Sequence, residues 1–218
     1  RIMGYASHIG RIGVLAVALG VGLVAPAGTA AAKPAPSSPT TDAPGPTAPG
    51  QNHAVATNGV TRVQRGDAVA ISDGQGSVAN AKGTGATAIA TGGSKAIARG
   101  DGATAISDIR ACETCLAGGG NKVTASGTGA TATASGTGNR VLASGAGSQA
   151  TVTGSNNTVT ASGSGSEAAV TGSDNTVRAS GIGSDATVSG SRNTVDATGL
   201  DSTVSLIGSD NTVAATGA

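Results

Sequence analysis

The chain of 218 residues has no Phe, no Trp, one Tyr and one Met. A conventional globular core takes much of its buried area from aromatics and Leu, so a core of that kind is excluded. The same lack removes the stacking platforms used by nucleic-acid and sugar sites. Charge is scarce too, at 11% of residues with a formal net of +1. Residues 53–117 hold six Lys/Arg and five Asp/Glu, and residues 118–218 hold four and six. Without a basic stripe in either half, no nucleic-acid partner is expected. Cysteine is limited to Cys112 and Cys115, and all seven prolines fall between Pro26 and Pro49.

What is present in quantity is Gly, 37 residues of it, with Val, Ile and Thr recurring at fixed spacing. Disordered chains are poor in β-branched residues, so this periodicity reads as order.

The first 50 residues stand apart. A basic flank (Arg1, His8, Arg11) leads into the apolar run Ile12 to Val24 and then "APAGTAAA". That pattern predicts a secretory signal peptide over 1–32, with cleavage after Ala30 or Ala32. The run is shorter than the roughly 20 residues a bilayer-spanning helix needs, so membrane attachment is expected only through an uncleaved leader. "KPAPSSPTTDAPGPTAPG" makes residues 33–52 an extended Pro/Ser/Thr-rich linker with candidate O-glycosylation sites. "ASHIGRIGVLAVALGVG" resembles the leaders of mycobacterial exported proteins. The expected location is secreted or cell envelope.

From Gly118, Gly returns every nine residues to Gly217, eleven units without an insertion. Such regularity means each unit meets an equivalent neighbour, as in a solenoid. Within a unit the sixth and eighth residues are small and apolar, and the fifth and seventh mostly polar, which is a strand with one buried face. The side chains decide the coil length. Val occupies the sixth place at 123, 141, 159, 177, 195 and 213, followed by Ala at the eighth; Ala150, Ala168 and Ala186 reverse this, followed by Val152, Val170 and Val188. A coil of eighteen stacks like on like and lets Val sit opposite Ala across a thin core. The fourth place agrees: Asn121, Asn139, Asn157, Asn175, Asn193 and Asn211 recur at eighteen, with Ser148, Ser166, Ser184 and Ser202 between them. Asn there is expected to take left-handed backbone and to stack as an amide ladder, with Gly at the first place supplying the other turn conformation.

The predicted fold is therefore all-β, a parallel β-solenoid with 18-residue coils made of two nonapeptide strand-turn units. Its regular part, 118–218, holds five and a half coils, a rod of about 26 Å at roughly 4.8 Å per coil. Residues 53–117 follow a looser Ala/Gly-rich pattern, "GTGATAIATGGSKAIARGDGATAIS" among them. Residues 65–108 resemble the head repeats of trimeric autotransporter adhesins. The resemblance implies a left-handed parallel β-roll and an adhesin-like role at a cell surface.

Candidate sites are few. Cys112 and Cys115, where the looser array gives way to the strict one, are expected to form a local structural disulfide. A redox C-x-x-C would want a βαβ context, and zinc would need two more ligands where His53 is the only mature histidine. Asp174, Asp201 and Asp210 fall at turn positions rather than in the pattern of calcium-binding nonapeptides. Glu167 and Asp185 could stack as a carboxylate pair, but a solubilising face is the plainer reading. Arg65-Gly66-Asp67 and Arg99-Gly100-Asp101 spell a tripeptide that some receptors read, and lie in similar repeats; a charged turn explains both. Thr131 with Thr133, and Thr158 with Thr160, fit the T-x-T rows of ice-binding solenoids.

No metal, no cofactor and no enzyme activity are expected. The chain reads as a secreted or cell-envelope structural, adhesin-like repeat protein whose partner is an extracellular host or envelope component, or itself through free solenoid edges. The alternative is an ice- or polysaccharide-binding solenoid.

Overall fold

The computed structural model describes residues 52–108 and 120–216, and its regular elements are all strands. The leader, the linker up to residue 51, Cys112 and Cys115 lie outside the described residues. In chain order the strands are β1 (His53–Thr57), β2 (Val60–Arg65), β3 (Val69–Asp73), β4 (Val78–Lys82), β5 (Thr87–Thr91), β6 (Lys95–Arg99), β7 (Thr104–Asp108), β8 (Lys122–Ser126), β9 (Thr131–Thr137), β10 (Arg140–Ser144), β11 (Gln149–Ser155), β12 (Thr158–Ser162), β13 (Glu167–Ser173), β14 (Thr176–Ser180), β15 (Asp185–Ser191), β16 (Thr194–Thr198), β17 (Thr203–Ile207) and β18 (Thr212–Thr216).

Consecutive strands from β3 onward go to alternate sheets. The odd strands β3 to β17 form an eight-stranded sheet, here wall B. The even strands β4 to β18, extended by β1 and β2, form a ten-stranded sheet, wall A. From β3 on, pairing within each wall is parallel, and from β8 on it places each residue beside its counterpart eighteen residues later: Val159 beside Val177 on wall A, Val152 beside Val170 on wall B. The fold is thus a parallel β-solenoid whose coil is two nonapeptides.

The stack has eight coils, about 38 Å at the usual strand spacing. It is longer than the regular array alone because the looser segment belongs to it. β6 pairs with β8 and β7 with β9, so both walls run unbroken through the change of pattern. Coils before the junction are slightly irregular: Val69 pairs with Thr87, eighteen residues on, but Val78 with Lys95, only seventeen on. At the junction Lys95 pairs with Lys122, twenty-seven residues on. One extra nonapeptide's length therefore lies between β7 and β8, in the stretch that carries both cysteines.

Wall A begins with an antiparallel hairpin. Asn58 (φ 52°) and Gly59 (φ 78°) both take left-handed backbone between β1 and β2, as a two-residue type I′ turn requires. β1 runs antiparallel to β4, and β2 lies outermost, largely exposed and bearing Arg62 and Arg65. Charged side chains on an edge strand discourage another chain from pairing there. At the other end β17 and β18 are outermost, with Leu206, Val213 and Ala215 only partly buried.

Two strands per coil must run in opposite directions, which changes how the core is filled. Val152 and Val159 flank the same Asn-bearing turn at equal distances, so Val lies across from Val, not from Ala. Ala161 likewise lies across from Ala150 and Ala168. The core thus has a wide edge, so named for its larger Val and Asn side chains, and a narrow edge of Ala and Ser, both buried in the interior coils. Ala143, Ala161, Ala179 and Ala197 on that edge are all fully buried. Ala161→Val should destabilise by about 1–3 kcal/mol through overpacking, and Val159→Ala by about 2 kcal/mol through lost burial. Urea midpoints at constant slope would show both.

Candidate functional site

The Asn residues at the wide edge form a continuous ladder. Asn157 Nδ2 donates to Asn139 Oδ1 at 3.0 Å and to the Gly172 carbonyl at 2.8 Å. Its Oδ1 accepts from the backbone N and the Nδ2 of Asn175, both at 3.0 Å. Every donor and lone pair of the amide is used, which is what lets a polar side chain sit at 1% exposure in a valine-lined edge. The pattern repeats from Asn121 through Asn211. At its start, Asn121 turns to hydroxyls, its Nδ2 donating to Ser107 Oγ and its backbone N to Ser94 Oγ. At the narrow edge Ser166 and Ser184 do the smaller job, donating to the Ser162 and Ser180 carbonyls at 2.8 and 2.6 Å.

The left-handed residue of each turn is not this Asn. At the wide edge it is the third residue, Asn156, Asp174, Arg192 or Asp210, with φ between 57° and 64°. At the narrow edge it is the third residue again, Gly in most coils and Asp201 (φ 54°) in one. Asn is selected at the fourth place for its two-donor, two-acceptor amide. Asp174, Asp201 and Asp210 are thus turn residues. Asp210 also meets the Arg192 guanidinium one coil below, Nε to Oδ1 at 2.6 Å. The hydrogen bond and charge of each partner raise the Arg192 pKa and lower that of Asp210. Any stability from this pair is lost as pH falls through the lowered carboxylate value, and exposure on both sides keeps it small.

The two RGD tripeptides sit in different settings. Arg65-Gly66-Asp67 links hairpin strand β2 to β3, whereas Arg99-Gly100-Asp101 is a solenoid turn between β6 and β7. Asp101 Oδ1 accepts the Thr84 backbone N at 2.8 Å, and a Cβ on Gly100 would press against the Gly127 backbone. Its Gly and Asp therefore both have jobs in coil stacking. Beside it lies a cavity of about 530 Å³ lined by Lys82, Thr84, Arg99, Asp101 and Asn52. Asn52 donates to Thr84 Oγ1 and so ties the hairpin corner to the first coils.

Glu167 and Asp185 are register neighbours on wall B, both exposed, between Gln149 and Thr203. Thr131 and Thr133 face outward on wall B, but Thr158 and Thr160 on wall A. The two T-x-T pairs therefore point in opposite directions and cannot form one array. His53 opens β1 and pairs with Arg65 and Lys82.

The feature that linear reading misses is the segregation of charge between walls. Eight Lys/Arg lie on wall A strands against one acid, Asp196. The strands of wall B carry Asp73, Asp108, Glu167 and Asp185 and no Lys or Arg. Along wall A, Lys95, Lys122 and Arg140 stack at consecutive coils, and Lys82 and Arg99 form a second column. A count over sequence windows averages this away. A count over alternate nonapeptides would have found it.

Comparison with known proteins places the regular array beside one family. Residues 116–168, and again 170–218, match the model of a family described as "Protein of unknown function (DUF3060)". Each match takes in nearly three coils beyond the junction. No curated protein and no solved structure matches the chain.

Proposed function

We propose that the chain is a secreted or cell-envelope structural protein of adhesin-like type, which acts by presenting two flat β-walls rather than by catalysis. One observation carries this reading: chemistry-bearing side chains stand in outward columns one coil apart, Lys95–Lys122–Arg140 on one wall and Glu167–Asp185 on the other. Such columns suit multivalent contact with an extended surface, each contact weak and the sum large. The leader-like and Pro-rich segments support export and display.

The experiment is to express the full chain in an actinobacterial host, fractionate medium, envelope and cytosol, and test the purified protein against envelope fractions, matrix proteins and glycan arrays. The expected result is recovery from medium or envelope with salt-sensitive binding to at least one surface component. Recovery from the cytosol alone, or turnover of a glycan, overturns the reading.

A second reading, an ice- or polysaccharide-binding solenoid, draws on Thr158, Thr176, Thr194 and Thr212, which form one unbroken column on wall A. The seventh-place column beside it runs Thr160, Arg178, Asp196, Ala214, so the hydroxyl rows are interrupted by charge. Inhibition of ice recrystallisation by the purified chain would promote this reading to first place.

A further inference from the structure

We propose that the hairpin end of wall A, along its narrow-edge margin, binds a linear acidic polysaccharide that carries one carboxylate per sugar ring. This names a partner for the surface-presenting role, and rests on that role only for where the two would meet.

The two RGD tripeptides are thirty-four residues apart in the chain, yet the wall brings their arginines into one row. Arg65 on β2 is the register partner of His53 on β1, His53 of Lys82 on β4, and Lys82 of Arg99 on β6. These four strands are consecutive neighbours in wall A. The row therefore runs unbroken from one tripeptide to the other, about 14 Å at the usual strand spacing. It faces outward. Ala54, Ala81 and Ala98, next to its members in β1, β4 and β6, are the buried residues, and Gln64, beside Ala54, turns inward to the Ala68 carbonyl. Arg65, Lys82 and Arg99 are exposed and His53 is half-buried.

Like charges on directly opposed strand positions repel, and Lys82 lies beside Arg99. Among the described residues none of the four forms an ion pair. The carboxylate of the second tripeptide does not neutralise them, because Asp101 Oδ1 accepts the Thr84 backbone N. A row that costs stability and has no counter-ion within the chain is arranged for an anion from outside.

The cavity beside it completes the site. Lys82 and Arg99 line it together with Asn52, Thr84 and Asp101. Asn52 Oδ1 accepts the Asp67 backbone N at 3.4 Å and its Nδ2 donates to Thr84 Oγ1 at 3.0 Å, so one chain of hydrogen bonds fixes the corner from the first tripeptide to the second. The Thr84 O–H and Asp101 Oδ2 remain to meet sugar hydroxyls, while the guanidinium and ammonium groups meet carboxylates.

Two features select a polysaccharide among polyanions. The strand spacing of about 4.8 Å is close to the length of one pyranose residue, so a match made at one strand recurs at the next. A single-stranded nucleic acid would call for aromatic stacking platforms, and the described residues include no Phe, Trp or Tyr. That same lack excludes a site for neutral sugars built on stacking, but not one built on charge.

The test is calorimetric titration of the full chain with oligogalacturonates of increasing length, at about 25 and 500 mM salt. Fully methyl-esterified oligomers and a duplex DNA of equal charge serve as comparisons. Affinity should climb to the tetramer, which fills the four positions of the row, and then level off; it should fall at least tenfold at the higher salt and vanish on esterification. Lys82→Gln with Arg99→Gln should weaken binding at least tenfold and leave the unfolding midpoint unchanged or higher, since a repulsion is removed. Lys122→Gln with Arg140→Gln, the same loss of charge at the other margin of wall A, should leave binding within twofold. Circular dichroism of each variant checks the fold. Equal losses from the two pairs would mean that net charge alone binds, and tighter binding of the duplex would assign the row to a phosphate backbone; either result overturns the proposal, as does equal binding of the esterified oligomers. A chain recovered from the envelope that binds no oligomer at low salt overturns it while leaving the surface role standing. Binding by a chain recovered only from the cytosol supports the site and overturns that role.

Discussion

Gly172→Ala should split the solenoid between its sixth and seventh coils, at a cost of about 4 kcal/mol, while Gly165→Asn should change stability by less than about 1 kcal/mol. Both glycines have positive φ, 129° at Gly172 and 72° at Gly165. Their surroundings differ. A Cβ on Gly172 would overlap the carbonyl oxygen of Gly190 in the next coil, whereas a Cβ on Gly165 meets nothing within 4 Å. At Gly172 the new methyl group suffers both the backbone penalty of a conformation that L-residues avoid and a contact that only separation of two coils relieves. At Gly165 only the backbone term remains, and Asn is the residue that tolerates it best. The corresponding place two coils on is Asp201, already left-handed at φ 54°. In a stack that holds together through nearest neighbours, damage at an interior coil uncouples the coils on either side. Thermal unfolding of Gly172→Ala should therefore broaden or resolve into two transitions, and that of Gly165→Asn should stay single.

Asn157→Ala should cost about 3–5 kcal/mol, the larger part of it from partners left behind. Removing the amide strips Asn139 Oδ1 of a donor, leaves the Gly172 carbonyl without its side-chain partner, and takes the shared acceptor from both nitrogens of Asn175. These groups are buried, so water cannot readily replace what is lost. Asn211→Ala, at a half-exposed rung, should cost about 1 kcal/mol. Asn157→Asp separates hydrogen bonding from shape. A carboxylate in the same space cannot donate to Asn139 Oδ1 or to the Gly172 carbonyl, but a protonated carboxyl can donate once. Its folded-state pKa is thus raised above the ordinary value near 3.9. The variant should be least stable at neutral pH and should regain stability relative to Asn157 as pH falls through that raised value. Chemical denaturation at pH 7 and pH 4 measures the sign. Equal deficits at the two values would mean that the ladder acts through packing alone.

The ladder shows how far the residues alone could be read. Six Asn at a spacing of eighteen demand a repeating environment, and stacking is the one arrangement that lets each satisfy the next. What could not be read there was the backbone. Asn was expected to carry the left-handed conformation, yet Asn156, Asp174, Arg192 and Asp210, one residue earlier, carry it. Arg192 gives no local hint of such a role, because only the closure of the turn demands it. Asn58-Gly59, by contrast, is a strong hairpin signal whose weight shows once β1 and β2 are seen flanking the first coil.

Period and alternation belong to the chain itself: strands from residues alternating by two, coils from nonapeptides alternating by Val and Ala, columns from an eighteen that never slips after the junction. These follow from local sterics and from which side chains avoid water, and neighbouring residues are enough to express them. The tertiary structure alone decided which wall each nonapeptide joins and what therefore stands beside it. Because the coil turns back on itself every nine residues, Lys95, Lys122 and Arg140 become one column and Glu167 and Asp185 another on the opposite side, and Val faces Val at the edge where Asn fits. Proximity across coils and opposition across the core are properties of the closed turn, and no linear window contains them.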